Sequence, residues 1–321
     1  MQQPHFLKDL LAYFTKADIS LFHDFAPPPT GGGHQFMRAL QQSFTDKGYL
    51  TENNTISPTT QACLFNSFNF NPKRLQAKRQ RNNTCKMIHR VDGPISIYRG
   101  LDDGTDKIVN DWNNKLADVT IFQSHYSMNA YKDLGLTFRH PNIIIPNTPD
   151  PTIFNTNQKS TFSPNKKIRL ISTSWSDNPN KGLETYKWLD QHIDWNSYEY
   201  IFIGRINTNL KNIRHIQPID SFKIADYLKS SDIYITASRH DPCSNSLLEA
   251  LACGIPALYL NSGGHGELVQ QAGFPFNEPK EIPDLLSQIA NDYETYTNRI
   301  TVPTLNDITQ QYLEAMGFNN G

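Results

Sequence analysis

Short apolar runs alternate with helical patterns along almost the whole chain, and this alternation restricts the fold more than any other feature. Strand candidates fall at 19–23, 62–66, 86–91, 119–124 and 142–146, separated by helix-like stretches at 34–46, 72–80, 106–116 and 128–134. A strand that leaves into a helix returns parallel to the first, because the crossover covers the sheet face. The stretch 147–166 is rich in Asn, Thr, Pro and Ser, lacks periodicity and reads as a linker. Beyond it the alternation restarts, with strands expected at 168–173, 199–204, 213–216, 233–237 and 257–260. Helices are expected at 182–192, 221–230, 246–252 and 281–293, and a last one at 304–315. The expectation is two doubly wound α/β domains, over 1–150 and 151–303, with 304–321 carrying the final helix. A length of 321 residues suits that division at roughly 150 residues per domain.

Composition narrows the partners. Hydrophobic residues at 38% can build cores, and charged residues at 19% are too few for a disordered chain. Thirty Lys and Arg against thirty-one Asp and Glu leave a net charge of −1, so no global field draws the chain to nucleic acid. No apolar run approaches the roughly 20 residues of a membrane span. Residues 1–14 hold one Lys and a broken apolar pattern, which fits a short helix face and not a signal peptide. Cys63, Cys85, Cys243 and Cys253 form no CxxC pair, so free thiols in a reducing cytoplasm are expected, with no zinc or redox motif.

In doubly wound sheets, ligands bind beyond the carboxyl ends of the strands, and between two such domains the cleft is the expected site. The loops there carry the chemistry. The first strand ends in Phe25-Ala-Pro-Pro-Pro-Thr-Gly31-Gly32-Gly33-His34. Three glycines before a helix let backbone N–H groups approach an anion, though the segment also reads as a flexible entry into that helix. The 86–91 strand runs through His89 and Arg90 to Asp92-Gly93-Pro94; a His in such a place either faces a ligand or satisfies local backbone. Lys181, before Gly182, is a point charge suited to phosphate or a solvated side chain. The most informative stretch is Asp241-Pro-Cys243-Ser244-Asn245-Ser246-Leu-Leu-Glu249. Ser244 or Ser246 can cap the helix that follows, its positive end suits phosphate, and carboxylates suit sugar hydroxyls.

These pieces, in this order, resemble glycosyltransferase family 4, the retaining enzymes of the GT-B fold. The resemblance rests on Gly31–Gly33, Lys181-Gly182, Asp241-x7-Glu249, Cys253-Gly254-Ile-Pro256, Gly263-Gly264-His-Gly-Glu267 and the junction Ile145-Pro-Asn147-Thr-Pro-Asp150. It covers most of the chain, strongly from 168 to 269 and more weakly from 18 to 150. It implies two Rossmann-like domains facing each other across a cleft, with the C-terminal helix crossing back to the first. The implied activity is metal-independent transfer, with retention, from a nucleotide-sugar donor to a glycan or lipid-linked acceptor in cytoplasmic polysaccharide biosynthesis, without a cofactor.

The resemblance also implies roles. Glu249 would bind the ribose hydroxyls and Asp241 those of the transferred sugar, helped by the backbone of Cys243, Ser244, Asn245 and Ser246. Lys181 would neutralise the diphosphate, Gly32 and Gly33 would bring backbone near it, and His89 would be the first-domain active-site His. Three positions depart from the family pattern. Asp241 stands where Glu is usual, Thr148 where Gly is usual, and Ser174-Trp175 where Gly-Arg supplies a second cation. Arg205 or Arg239 is the candidate replacement for that cation.

Asp102-Asp103-Gly104 lacks the spacing of a metal-binding DxD and reads as a turn and helix cap, with Asp106 another cap. Lys73, Arg74, Lys78, Arg79, Arg81, Lys86 and Arg90 include no acidic neighbour. That stretch reads either as a solvated face or as peripheral contact with an anionic surface at the inner membrane. Rival functions are a non-catalytic sugar-nucleotide binder or partner subunit on the same fold, a sugar-nucleotide epimerase, and a Rossmann oxidoreductase. GxGxxG is lacking for the last.

Overall fold

The structure, a computed structural model, describes residues 16–26 and 32–318; the predicted N-terminal helix face and Gly31 lie outside them. The first half contains β1 (Ile19–Phe22), α1 (Gly32–Asp46), β2 (Thr51–Asn53), β3 (Ala62–Asn66), α2 (Pro72–Arg81), β4 (Lys86–Val91), α3 (Ile95–Arg99), α4 (Thr105–Leu116), β5 (Val119–Phe122), α5 (His125–Asp133) and β6 (Asn142–Ile144). The second contains β7 (Ile168–Ser174), α6 (Leu183–His192), β8 (Tyr198–Gly204), β9 (Arg214–Ile216), α7 (Ser221–Lys229), β10 (Ile233–Thr236), α8 (Asn245–Ala252), β11 (Ala257–Leu260), α9 (His265–Val269), β12 (Gly273–Phe276), α10 (Ile282–Asn291), α11 (Tyr293–Asn298) and α12 (Leu305–Met316).

Each half forms one six-stranded parallel sheet, in the order β2-β1-β3-β4-β5-β6 and β12-β11-β10-β7-β8-β9. The order reverses at β1/β3 in the first sheet and at β7/β10 in the second, and crevices open at such reversals. Both sheets are covered on two faces, which explains their apolar strands. One face of the first sheet packs Leu21, Leu64 and Ile121 against Phe36 and Leu40 of α1. The last helix joins that same core: Ile308, Tyr312 and Leu313 of α12 are buried in it, so the chain does cross back to its first domain. The two crossing points touch, because Thr148 Oγ1 donates to the Pro303 carbonyl at 2.6 Å.

Several short elements escape the reading by periodicity. β2 is Thr-Glu-Asn, with no apolar residue. β12 contains Gly273 and Pro275, tolerable because it is an edge strand that leaves one row of N–H groups unpaired. α3 and α9 are single turns of five residues.

The basic stretch does not form one surface. Lys78 and Arg90 are buried, Arg74 Nε donates to the Asn54 carbonyl, and Arg79 donates to Asn82 and pairs weakly with Asp118. Only part of the predicted face remains to meet an anionic surface. Among the described residues no helix is long and apolar enough to cross a membrane.

Candidate functional site

A cleft of about 480 Å³ opens between the two sheets, at the carboxyl ends of β1, β4, β7 and β10. Its C-terminal wall begins with the loop after β7. Gly182 adopts φ +82°, and a Cβ there would lie 2.3 Å from the Ala237 carbonyl, so only glycine lets the Lys181 turn pack against the end of β10. This seats Lys181 Nζ 3.0 Å from Asp241 Oδ2 and 5.0 Å from the centre of the Tyr98 ring. Burial opposes the lysine's charge, but Asp241 and Tyr98 outweigh it and raise its pKa above the usual lysine value. Burial alone would raise Asp241; Lys181 overrides it and holds the carboxyl below its ordinary range. Both groups stay charged at neutral pH.

The Asp241 loop is buttressed from below. The Gly264 N–H donates to the Asp241 carbonyl at 2.9 Å, and a Cβ on Gly263 would meet that oxygen at 2.3 Å. His265, fully buried, spans Ser238 Oγ and the Leu260 carbonyl. Glu267 of the same segment reaches across to the other domain, where its carboxylate accepts the His125 and Tyr126 N–H groups at 2.8 Å each. It caps the first turn of α5, a stabilising place for a carboxylate.

Ser244 is the N-cap residue of α8, but its side chain makes no capping bond; its hydroxyl lies 3.2 Å from that of Ser246. The predicted serine cap is therefore not made, and the first-turn amides of α8 keep their donors for another acceptor. Glu249, one turn further in, lines the cleft, and burial lifts its pKa to about 8. No donor among the described residues meets its carboxylate. Cys243 is buried and accepts from the Asn147 N–H, and burial pushes its thiol up to about 12, so it is no nucleophile at neutral pH.

The N-terminal wall holds a network that sequence patterns did not reveal. Arg90, almost wholly buried, donates to Asn66 Oδ1 at 2.5 Å, Asp92 Oδ1 at 2.9 Å and Asn147 Oδ1 at 2.7 Å. Gln123 also donates to Asp92. Asn147 Nδ2 completes the bridge to Gln123 Oε1 and, across the cleft, to Asn245 Oδ1 at 3.0 Å. The α1 terminus abuts the same asparagine. A Cβ on Gly32 would fall 2.4 Å from the Asn245 side chain, whereas one on Gly33 would meet nothing within 4 Å. Close approach thus accounts for Gly32 and leaves Gly33 without a neighbour among the described residues that requires glycine.

His89 is a correction. It does not face the cleft: its side chain is fully buried, stacked on Phe65 at 4.2 Å, with Nε2 against the Ser67 carbonyl and Nδ1 against Asn113 Nδ2. Burial drops its pKa to about 3. The reason is strand geometry, since successive side chains of β4 point to opposite faces. Arg90 turns to Phe36 and the cleft, and His89 to Phe70 and the interior. Counting in steps of two from Asp92 would have identified Arg90. Arg205 is also displaced from its expected role. It is exposed, lies 4.5 Å from the Trp175 ring centre and donates to the Trp175 carbonyl, so Trp175 lines the cleft while Arg205 lies behind it. Arg239 is exposed too, and its backbone N–H donates to the Asn180 carbonyl.

The remaining acidic motifs are structural. Asp102 and Asp103 accept from the backbone of Gly104 and Thr105, as a turn and cap should. Asp106 caps α3 rather than its own helix, accepting from Ile95 and Ser96. Among the described residues no group of three or more His, Cys, Asp or Glu is arranged to hold a metal ion.

Comparison with known proteins agrees with this fold. Residues 205–301 match the family model for glycosyl transferases group 1. A search of curated proteins by sequence finds no match. Among solved structures the chain is similar to HepE of Anabaena in complex with UDP-glucose (TM-score 0.65, 14% identity, 92% of this chain and 99% of that one). It is equally similar to sucrose-phosphate synthase from Thermosynechococcus elongatus (TM-score 0.67, 14% identity, 94% and 95%). The catalytic domain of starch synthase IV from Arabidopsis thaliana, bound to ADP and acarbose, follows (TM-score 0.66, 10% identity, 94% and 99%). The chain thus has the GT-B fold over nearly its whole length, and residues 205–301 are similar to glycosyl transferases group 1.

Proposed function

We propose that this protein is a retaining, metal-independent glycosyltransferase that moves a sugar from a nucleotide-sugar donor to a glycan or lipid-linked acceptor. The observation that carries the reading is the cluster of Lys181, Asp241 and Glu249 around the uncapped end of α8, within the inter-domain cleft. Lys181 and the α8 amides oppose the charge that grows on the departing diphosphate, the contribution that usually dominates such catalysis. Glu249, with no donor among the described residues, accepts the ribose hydroxyls. Asp241, ionised by its lysine, accepts hydroxyls of the transferred sugar while Lys181 turns toward phosphate. On this route the leaving phosphate takes the proton of the attacking acceptor hydroxyl, so both events occur on one face of the sugar.

One observation favours a second reading, donor binding without turnover: Arg205 is stacked on Trp175, so the second diphosphate cation is not supplied from the expected side. The experiment incubates purified protein with EDTA against UDP-, GDP-, ADP- and dTDP-sugars, reading thermal shift and nucleotide release. A shift with one donor, lost in Glu249→Ala, and release that depends on Lys181 are expected of the enzyme. Binding without release, even with a panel of acceptors, supports the binder. No shift with any donor removes the donor-site assignment.

A further inference from the structure

Two histidines that the proposed reaction does not use form a directed chain. His23 follows β1 and is buried; His34 lies in the first turn of α1 and lines the cleft. His23 Nε2 and His34 Nδ1 are 2.8 Å apart, so one of them carries the shared proton. The surroundings decide which. A guanidinium only donates, so the Asn66 atom 2.5 Å from Arg90 Nη1 is the amide oxygen. The Asn66 NH2 therefore faces His23 Nδ1, at 3.3 Å. An amide NH2 also only donates, which makes His23 Nδ1 an acceptor and places the His23 proton on Nε2. That proton is donated to His34 Nδ1, leaving the single proton of a neutral His34 ring on Nε2. Burial keeps His23 neutral, reinforced by His34, Arg90 and Arg38; burial and Arg38 lower His34 as well, against the opposing pull of Asp92. No acceptor among the described residues meets His34 Nε2.

We propose that His34 is a substrate-contacting residue that donates its Nε2–H to an oxygen of the donor's leaving phosphate, with Arg90, Asn66 and His23 as positioning residues that set its tautomer. The placement follows from Gly32, two residues earlier, which is packed against Asn245 at the start of α8. The inference rests on the reading of this cleft as a nucleotide-sugar site. A neutral donor adds a directed hydrogen bond to the α8 amides and Lys181 without a second charge to desolvate.

The test has two parts. Long-range ¹H–¹⁵N spectra of protein labelled at histidine nitrogens report each tautomer in the absence of any ligand. His23 and His34 are both expected to be neutral with the proton on Nε2; a His34 ring protonated on Nδ1, or on both nitrogens, at neutral pH overturns the relay. UDP, GDP, ADP and dTDP are then titrated into the wild type and the variants His34→Ala, His34→Gln and Glu249→Ala. Binding is expected to move the His34 Nε2 signal. The alanine variant should bind about tenfold more weakly, the size of one hydrogen bond to a charged oxygen, and glutamine, whose amide N–H occupies the Nε2 position, should restore most of the loss. If a nucleotide binds and Glu249→Ala weakens it while His34→Ala does not, the proposal fails and the cleft assignment stands. If none of the four nucleotides binds the wild type, the underlying reading falls and takes the proposal with it.

Discussion

The two sheets have the same six parallel strands, yet they present their polar residues to the cleft in different ways. The C-terminal domain presents an ion pair, Lys181 and Asp241, to the cleft, and beside it Glu249, desolvated and without a donor among the described residues. The N-terminal domain consumes its charge internally. Arg90 is enclosed by Asn66, Asp92 and Asn147, and the two histidines near it are held neutral by burial. One wall thus presents an ion pair and the other presents shape and directed hydrogen bonds. A buried cation with every neighbour oriented costs desolvation but fixes the geometry around it.

The largest test of this contrast is Lys181→Ala, expected to lower kcat for sugar transfer by about a hundred- to a thousandfold, the usual effect of losing one electrostatic contact to developing charge. A change of less than about tenfold would place the phosphate elsewhere. His89→Ala should behave in the opposite sense. It strips a stacked, doubly hydrogen-bonded ring from the interior, so urea unfolding should show a loss of about 2–4 kcal/mol with donor affinity unchanged in the folded protein.

Glu249 sharpens the comparison through pH. Its carboxyl has a folded-state pKa of about 8 against an ordinary 4.5. Between those values the unfolded chain releases a proton that the folded chain keeps, so this group's contribution falls as pH rises and levels off above about 8. Glu249→Gln removes the dependence. The stability of wild type relative to variant should therefore decline from about pH 5 to about pH 8, by at most about 1.4 kcal/mol per unit. A parallel pair of curves would mean that the carboxyl is not desolvated. The smallest effect is expected for Arg205→Ala. Its exposed stacking on Trp175 contributes about 0.5–1 kcal/mol, and donor affinity should change by less than about threefold. A loss of tenfold or more would mean that Arg205 swings into the cleft when the donor binds.

Much of this architecture was legible because its signals are local. Strands such as Ile168–Ser174 and Lys86–Val91 announce themselves by their Ile, Leu, Met and Val between helical patterns, and Asp241-x7-Glu249 is a spacing on a single loop and helix. The short edge strand Gly273–Phe276 was not legible, since its Gly and Pro are acceptable only where a sheet ends. His89 was misplaced for a related reason. Its chemistry is readable from the sequence, but its direction depends on which face of β4 meets the cleft, and that is settled only when α1 and α12 cover the other side of Arg90.

The sequence by itself determined the two parallel α/β halves, the linker between them and the charged loops after β7 and β10. Each of these depends on contacts between near neighbours or on the period of a strand or helix. Tertiary structure alone decided that Lys181 pairs with Asp241, that Glu267 caps a helix of the opposite domain, and that Arg90, through Asn66 and His23, orients His34. Those outcomes join residues from 11 to 142 positions apart. Their physics is burial and hydrogen-bond direction, which exist only after the chain has closed around them.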